Sequence, residues 1–579
     1  KAPFLLALET SLMSEILNNL KIAHVAMQDV RRPYEDLVQK SYDLVNPRRY
    51  DFLRSAERGL ERHTKMYDAT GHDAHRTWVA GIMGWLISRS LHWQEYDIPI
   101  PKLRNDDQVQ RYCQEYGEQM RWEFRAGNFY PRLPEYLRDG SAGGTAIMLT
   151  EESRDLTHAV HHVPHPGDCW FSVDEEGNTD AYHEDIVLTA RQAKLKFSRR
   201  GDVLSDALDK EGDDPNLAQK EWHFVHAVHR SDDPSIFDHK MVDTPWCSVY
   251  YQPYSERAQA NQTVSGRDGG NLVRIARQDF MPATVWAFRR NSDEIYGYSP
   301  GMDVMPVIEA LQQHGFNMMN LGNFAGRPMT MIPMEMRTEH KILPGGKNFY
   351  ADAARLIYTV QTAGEYPIAL DREQVLKQIV QFAYGYQLWN AIFMLSSKRE
   401  RVQVGEVMQV RTDQAKMLQE QVDNLTEDGI APVIDSVASI ADRAGRMPDP
   451  PAILADYYGQ DIVKATFVGP LIQLQEYASR MGGFQQGFSL VSDLIAVVGK
   501  AAGPDAALEL LDPIDTDGLT EYVWDSARAP QELMRSDEEV VRRRITRRKE
   551  KAALEQAQIA MQLGQAQASM SRVPQGQGG

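Results

Sequence analysis

Two periodicities divide the chain. Helical spacing runs through Leu12, Ile16 and Leu20, and resumes beyond Arg31-Arg32-Pro33 from Tyr34 to Leu44. The proline predicts a break, so two helices are expected there. A further helix follows Met66-Tyr67-Asp68-Ala69-Thr70-Gly71, carries Ala74, Val79, Ile82 and Leu86 on one face, and ends before Trp93. Asn105 to Ala126 reads as a long charged helix with Val109, Tyr112, Tyr116, Met120 and Phe124 inward, and Asn128 to Arg138 as a shorter one. Gly140-Ser141-Ala142-Gly143-Gly144 is expected to be a turn into a strand, Thr145 to Thr150.

From Val160 to Phe288 the period changes to two. Strands are predicted at Cys169 to Val173, Ala181 to Leu188, Trp222 to His229, Ser248 to Tyr251 and Thr284 to Phe288. Asp174-Glu175-Glu176-Gly177-Asn178 makes a hairpin turn between the first two, and Thr189 to Phe197 a short helix. The fold class expected from the whole pattern is α+β, predominantly helical.

Helical spacing returns after Tyr296-Gly297-Tyr298-Ser299-Pro300-Gly301-Met302-Asp303, with Ser299 as cap and Pro300 at the first helical position. That helix carries Val304, Ile308, Leu311, Met318 and Leu321 and stops near Gly322. A short β-like excursion follows. A second helix is expected from Asp371, where Gln374 completes a capping box, with an apolar stripe at Val375, Ile379, Phe382, Tyr386, Trp389 and Phe393. A basic connection, Ser396 to Arg401, leads to a third helix through Val407, Val410, Met417 and Leu425, and the chain from Pro448 onward reads as helical.

Length and charge narrow the picture. The 579 residues suffice for two to four domains, and no apolar run is long enough to span a membrane. Lys1 to Leu20 lacks the order of a signal peptide. Three scattered cysteines, Cys113, Cys169 and Cys247, fit a reducing compartment without disulfides. A net charge of −18 argues against a protein that grips nucleic acid over its whole surface, without excluding one that lets DNA slide past.

Candidate chemistry is thin. His158, His161, His162 and His165 cluster, as do His223, His226 and His229, and a metal-dependent hydrolase on this His-rich sheet is the enzymatic alternative. Neighbouring strand residues point to opposite faces, so these histidines do not converge and are expected at the surface or at interfaces. No Gly-x-Ser-x-Gly elbow is present, and no Lys-Ser/Thr pair follows the glycines at 140–144. No catalytic residue, cofactor or metal is therefore assigned.

The order helix, β-excursion, helix, basic loop, long helix resembles the portal protein, or head-to-tail connector, of short-tailed bacteriophages. The turn Gly297 to Asp303 is similar to that family's Gly-x-x-Pro-Gly-Met-Asp opening of the first stem helix, and Tyr67-Asp68-Ala69-Thr70-Gly71, Pro166-Gly167-Asp168, Thr189/Gln192/Phe197 and Val468-Gly469-Pro470-Leu471 fall in its order. Val404-Gly405-Glu406-Val407 departs from its usual Thr-Ala-Thr-Glu-like helix start.

The resemblance implies a ring subunit with a wing (residues 1–295), a first stem helix (296–322), a clip (323–368), a second stem helix (369–395), a tunnel loop (396–405), a core helix returning to the wing (406–470) and a helical crown or C-terminal barrel with a disordered tail (471–579). It puts Lys398, Arg399 and Arg401 toward channel DNA, Gly297, Pro300, Gly301 and Asp303 at the stem opening, and Arg327, Met329, Met331 and Met334 at the clip's docking surface. The implied partners are eleven further copies in a twelve-subunit ring, double-stranded DNA, terminase, a tail adaptor, and the major capsid and scaffold proteins, with no membrane. The implied location is one vertex of the virion capsid after assembly in the host cytoplasm. Another virion structural or scaffold protein is the remaining alternative.

Overall fold

A computed structural model of the chain describes residues 2–49, 66–90, 92–103, 106–198, 202–237, 242–253, 271–292, 294–326, 329–331, 358–360, 366–390, 419–457, 463–468, 542–546, 549 and 561. Two compact units divide at residue 475. In the second, residues 542–546 are helical and exposed.

The first unit mixes helices and strands. It opens with α1 (Ala2–Val45), a single helix that runs through Pro33, against the expected break. The reason lies in Arg31. Its guanidinium reaches the carbonyls of Pro166, Gly167 and Cys169 at 3.2, 2.6 and 2.8 Å, lies 4.3 Å from the Trp170 ring and pairs with Glu35. These anchors on either side of the proline offset a helix-interior cost of about 3 kcal/mol. Next come α2 (Thr70–Trp85), β1 (Gln94–Asp97), α3 (Asp107–Ala126, capped by Asp106) and α4 (Phe129–Gly143). The glycines expected to form a turn are the last turn of α4. Only Gly144, at φ +80°, lies beyond it as a left-handed cap, and a Cβ on Gly140 would sit 2.2 Å from the Trp286 ring.

The β region follows as β2 (Thr145–Glu152), β3 (Ala159–His162), β4 (Cys169–Val173), β5 (Thr179–Thr189), β6 (Glu221–Arg230), β7 (Trp246–Gln252), β8 (Asn271–Gln278) and β9 (Ala283–Ala287). Between β5 and β6 lie α5 (Ala190–Lys196), closed by the Thr189/Gln192 capping box, and α6 (Asp206–Asp213). Strands β4 to β8 form one antiparallel sheet in sequence order, and β2 pairs with β3 and β9. One face of the five-stranded sheet packs Val225, Ala227, Val249 and Tyr251 against Ile16 and Leu20 of α1. The other packs Trp222, Phe224 and Tyr250 against α5 and α6. Sheet burial on both faces explains why the period-two signal was uneven along β6, whose residues 224–229 are all buried.

The chain then enters α7 (Pro300–Asp303) and α8 (Met305–Gly326), followed by the strand pair β10 (Met329–Met331) and β11 (Tyr358–Val360). α9 (Tyr366–Ala383) begins before Asp371, so no capping box starts there; Pro367 sits in the first turn, where its missing N–H has no helical partner to lose. A turn at Tyr384-Gly385, with Gly385 at φ +59°, separates α9 from helical residues 386–390. Beyond lie α10 (Gln419–Asn424), a π-helical turn (Leu425–Ile430), α11 (Ala431–Arg443) and β12 (Lys464–Phe467), a strand within the stretch expected to be helical. The largest core gathers α1 to α4, α8, α9 and α11 around Trp78, Trp286 and Trp389, with the first two rings stacked at 6.4 Å.

Candidate functional site

The turn before α7 is the joint between the body and the helical pair α8/α9. Ser299 caps α7 by accepting from the Met302 amide at 3.2 Å, and its hydroxyl donates to the Ala142 carbonyl at 2.8 Å. The same carbonyl accepts from Ser41 of α1 at 2.5 Å. The Gly297 amide donates to Thr145 Oγ1 at 2.9 Å. Gly297 crosses Gly144 so closely that a Cβ on it would lie 2.4 Å from the Gly144 carbonyl oxygen. A Cβ on Gly301 would lie 2.7 Å from Tyr384 Oη and 3.0 Å from Val45. Tyr384 in turn donates to the Ser141 carbonyl at 3.2 Å. Gly297, Pro300 and Gly301 are thus buried where α1, α4, β2, β9 and the end of α9 meet. Asp303 is exposed and pairs with Arg289 at 2.8 Å.

The Tyr67-Asp68-Ala69-Thr70-Gly71 segment clamps the other side of the helical pair. Gln312 of α8 accepts from the amides of Tyr67 and Asp68 at 2.7 and 3.1 Å and donates to the Asp68 carbonyl at 2.6 Å. Asp68 also accepts from the Thr70 amide at the start of α2 and meets Lys377 of α9 at 3.3 Å. Gly71 packs against Ile308.

The expected apolar stripe is split: Tyr386 and Trp389 pack toward the body, its first three residues are open, and Phe393 lies outside the described residues. Val375, Ile379 and Phe382 are 55, 43 and 61% exposed, while the body buries the adjacent face through Val380, Tyr384 and Leu388, with Trp389 beyond the turn packed on Gly81. On α8, Ile308 and Leu311 are buried, but Phe316 and Met319 are exposed. Two overlapping helical series run through α9, and pattern alone could not say which faces the body. The result is an open apolar surface on a paired helix, the mark of a surface completed by another chain.

Other expected residues fall elsewhere. Met329 and Met331 lie in β10, whose register pairs them with Val360 and Tyr358. Arg327, Met334, Lys398, Arg399 and Arg401 lie outside the described residues.

The histidines correct another expectation. His161, His165, His226 and His229 are buried rather than at the surface, His158 is half-buried, and His162 and His223 are exposed; His183, outside both clusters, is buried as well. His226 lies on one face of the sheet, stacked on Tyr250 at 4.1 Å, and His183 and His229 lie on the other. Burial, with the neighbouring His229, His24 and His226, holds His183 well below the usual imidazole range, and burial holds His161 down at about 3. Among the described residues, no group of three or more His, Cys, Asp or Glu is gathered to hold a metal ion. The three cysteines are buried free thiols.

An α+β subunit whose paired helices leave an apolar stripe open belongs to the class of assembly proteins, which finish their packing against other chains. Residues 18–534 match the family described as bacteriophage head to tail connecting protein, and the chain belongs to that family. It is 25% identical over 543 residues to the portal protein of Salmonella phage epsilon15, covering 91% of this chain and 89% of that one. It is 24% identical over 519 residues to the probable portal protein of Bordetella phage BPP-1, covering 88% and 87%. The family is one of structural ring-forming proteins of the virion. Among the described residues, no helix is long and apolar enough to cross a membrane.

Proposed function

We propose that the protein is the portal subunit of a short-tailed phage. Twelve copies form a ring at one capsid vertex, through which terminase drives double-stranded DNA inward and to which the tail adaptor later binds. Residues 1–295 form the wing, 296–322 and 369–395 the two stem helices, 323–368 the clip, 396–405 the tunnel loop, 406–470 the core helix returning to the wing, and 471–579 the crown. Capsid and scaffold proteins meet the outside of the ring. Repeated around one axis, Lys398, Arg399 and Arg401 make a positive collar that attracts passing phosphates diffusely without a fixed register. Arg327, Met329, Met331 and Met334 give the clip a docking surface that methionine makes adaptable.

The observation that supports the ring is the exposure of Val375, Ile379 and Phe382 on α9 and of Phe316 and Met319 on α8. Covering the exposed share of such side chains contributes about 1 kcal/mol each. A head-to-tail contact that closes repeats this gain at every interface. The test is V375S/I379S/F382S, followed by native mass and negative-stain class averages. A folded monomer with no ring supports the reading; a normal ring removes the stripe from the interface. K398A/R399A/R401A, with rings intact, should then impair DNA packaging in vivo.

A further inference from the structure

Three imidazoles, one on α1 and two on the five-stranded sheet, are joined end to end. His24 Nδ1 lies 3.2 Å from His183 Nδ1, His183 Nε2 lies 2.8 Å from His229 Nε2, and His229 Nδ1 lies 3.1 Å from Asp233 Oδ2. At the other end, Gln28 Nε2 lies 3.0 Å from His24 Nε2. The carboxylate fixes the direction of the whole series. It can only accept, so His229 carries its proton on Nδ1 and its Nε2 is an acceptor. His183 must then donate from Nε2 and accept at Nδ1. His24 donates from Nδ1 and accepts at Nε2 from the Gln28 amide. In this arrangement all three rings are neutral. An added proton either leaves two N–H groups facing each other or requires the rings to exchange tautomers in concert and the Gln28 amide to turn its oxygen toward His24.

The environment disfavours that proton. His183 and His229 are buried, and burial, aided by Arg31, holds His24 down at about 4. Around the series lie Arg31 on α1, Asp185 on β5, His226 on β6 and Asp233 after it. Asp185 is 3.6 Å from His24 Nε2 but half-exposed, and Arg230 pairs with Asp232. On β7, Tyr251 is kept neutral by burial. A cavity of about 680 Å³ between α1 and the 230–236 turn has His229 and Asp233 in its wall, so protons reach the sheet end of the series.

We propose that this neutral histidine series is a proton-sensitive clasp that holds the amino-terminal half of α1 on the five-stranded sheet and lets it go on acidification. Among the described residues, that half also packs Ile16, Leu17, Leu20 and Ala23 on the sheet, and Asn19 donates to the Ile236 carbonyl at 3.3 Å. The carboxyl half of α1 is held separately by Arg31 and by Ser41. Release therefore frees one half of a helix and leaves the main core intact. This holds whether or not the protein forms the ring described above.

The size of the effect follows from linkage. With His24 near 4 when docked and at its ordinary 6.5 when released, opening becomes about 20-fold more favourable between pH 7 and pH 5 from this ring alone. Hydrogen–deuterium exchange on the full chain, corrected for the pH dependence of intrinsic exchange, measures it. Residues 13–30 should lose about 20-fold or more in protection relative to α11, which contains no histidine. Gln28→Glu separates the clasp from general damage. The introduced carboxylate accepts from a protonated His24 Nε2 while His24 Nδ1 still donates to His183, so the docked helix keeps the proton and the acid-driven loss of protection shrinks. A merely damaging substitution would lower protection at every pH and leave the size of the step unchanged. Protection of 13–30 that falls only in parallel with α11, or a Gln28→Glu step as large as that of the wild type, overturns the proposal.

Discussion

Gly297→Ala tests the joint between the helical pair and the body. The new Cβ would lie 2.4 Å from the Gly144 carbonyl oxygen, 3.0 Å from Ala287 Cβ and 3.1 Å from Ala287 Cα. None of these is the free end of a flexible side chain, so two backbones must part by the better part of an ångström. Overpacking of this kind costs about 1–3 kcal/mol. Separation also weakens the Gly297–Thr145 hydrogen bond and the paired donations to Ala142, each worth about 1 kcal/mol. The stiffer unfolded chain returns about 0.4–1 kcal/mol, which leaves a net loss of about 2–4 kcal/mol. The control is Gly84→Ala in α2, where a Cβ meets nothing within 4 Å and the same substitution should stabilise by about 0.5–1 kcal/mol. Urea midpoints followed by tryptophan fluorescence, with equal slopes, give both values. If Gly297→Ala equals or exceeds wild type in stability, the close crossing of Gly144 and Gly297 is not what fixes the joint.

Arg49→Met should cost about 3–5 kcal/mol, because Asp139, with no exposed side-chain surface, accepts from Arg49 at 2.9 and 2.6 Å and would be left buried beside Tyr42; denaturant midpoints check it. Phe382→Ser should leave the subunit within about 0.5 kcal/mol of wild type while weakening assembly, as native mass at falling concentration would reveal. Burial holds His75 and His161 near 3, below the unfolded value of 6.5. The unfolded chain then binds more protons at intermediate pH, so stability is full above about pH 6.5 and falls toward pH 3, by about 2 kcal/mol per ring at pH 5. Melting temperature against pH should decline on that side, and His161→Gln should flatten the decline.

Local chemistry was the part most legible in the sequence. Ser299 and Pro300 marked the start of α7, Thr189 to Phe197 read as the short helix that α5 is, and the hairpin turn at Asp174–Asn178 joins β4 to β5. Features fixed by distant contacts were not legible. Pro33 gave a local stop signal that three carbonyls more than a hundred residues away override through Arg31. The glycines before β2 read as a turn because their reason, the rings of Trp286 and Tyr42 pressed on Gly140 and Gly143, lies in other elements. β1 and β12 are four-residue strands that exist only as each other's partner, so neither carries a pattern of its own. His24, the helix end of the histidine series, stood apart from both histidine clusters, and only the packing of α1 on the sheet brings it to His183.

The pairing of β1 with β12 also bears on how the protein is made. Gln94 aligns with Phe467 and Asp97 with Lys464, and the Val468 amide adds a bond to the Trp93 carbonyl. A strand translated early thus waits, its edge unpaired, until residues about 370 positions further along the chain have been made. Throughout that interval the nascent chain exposes both an open strand edge and the tryptophan beside it, which Phe467 later covers at 6.0 Å. The closing step is a long-range one and correspondingly slow. Truncations that stop short of residue 464 should therefore leave the amino-terminal region prone to aggregation, although all of its own helices are present.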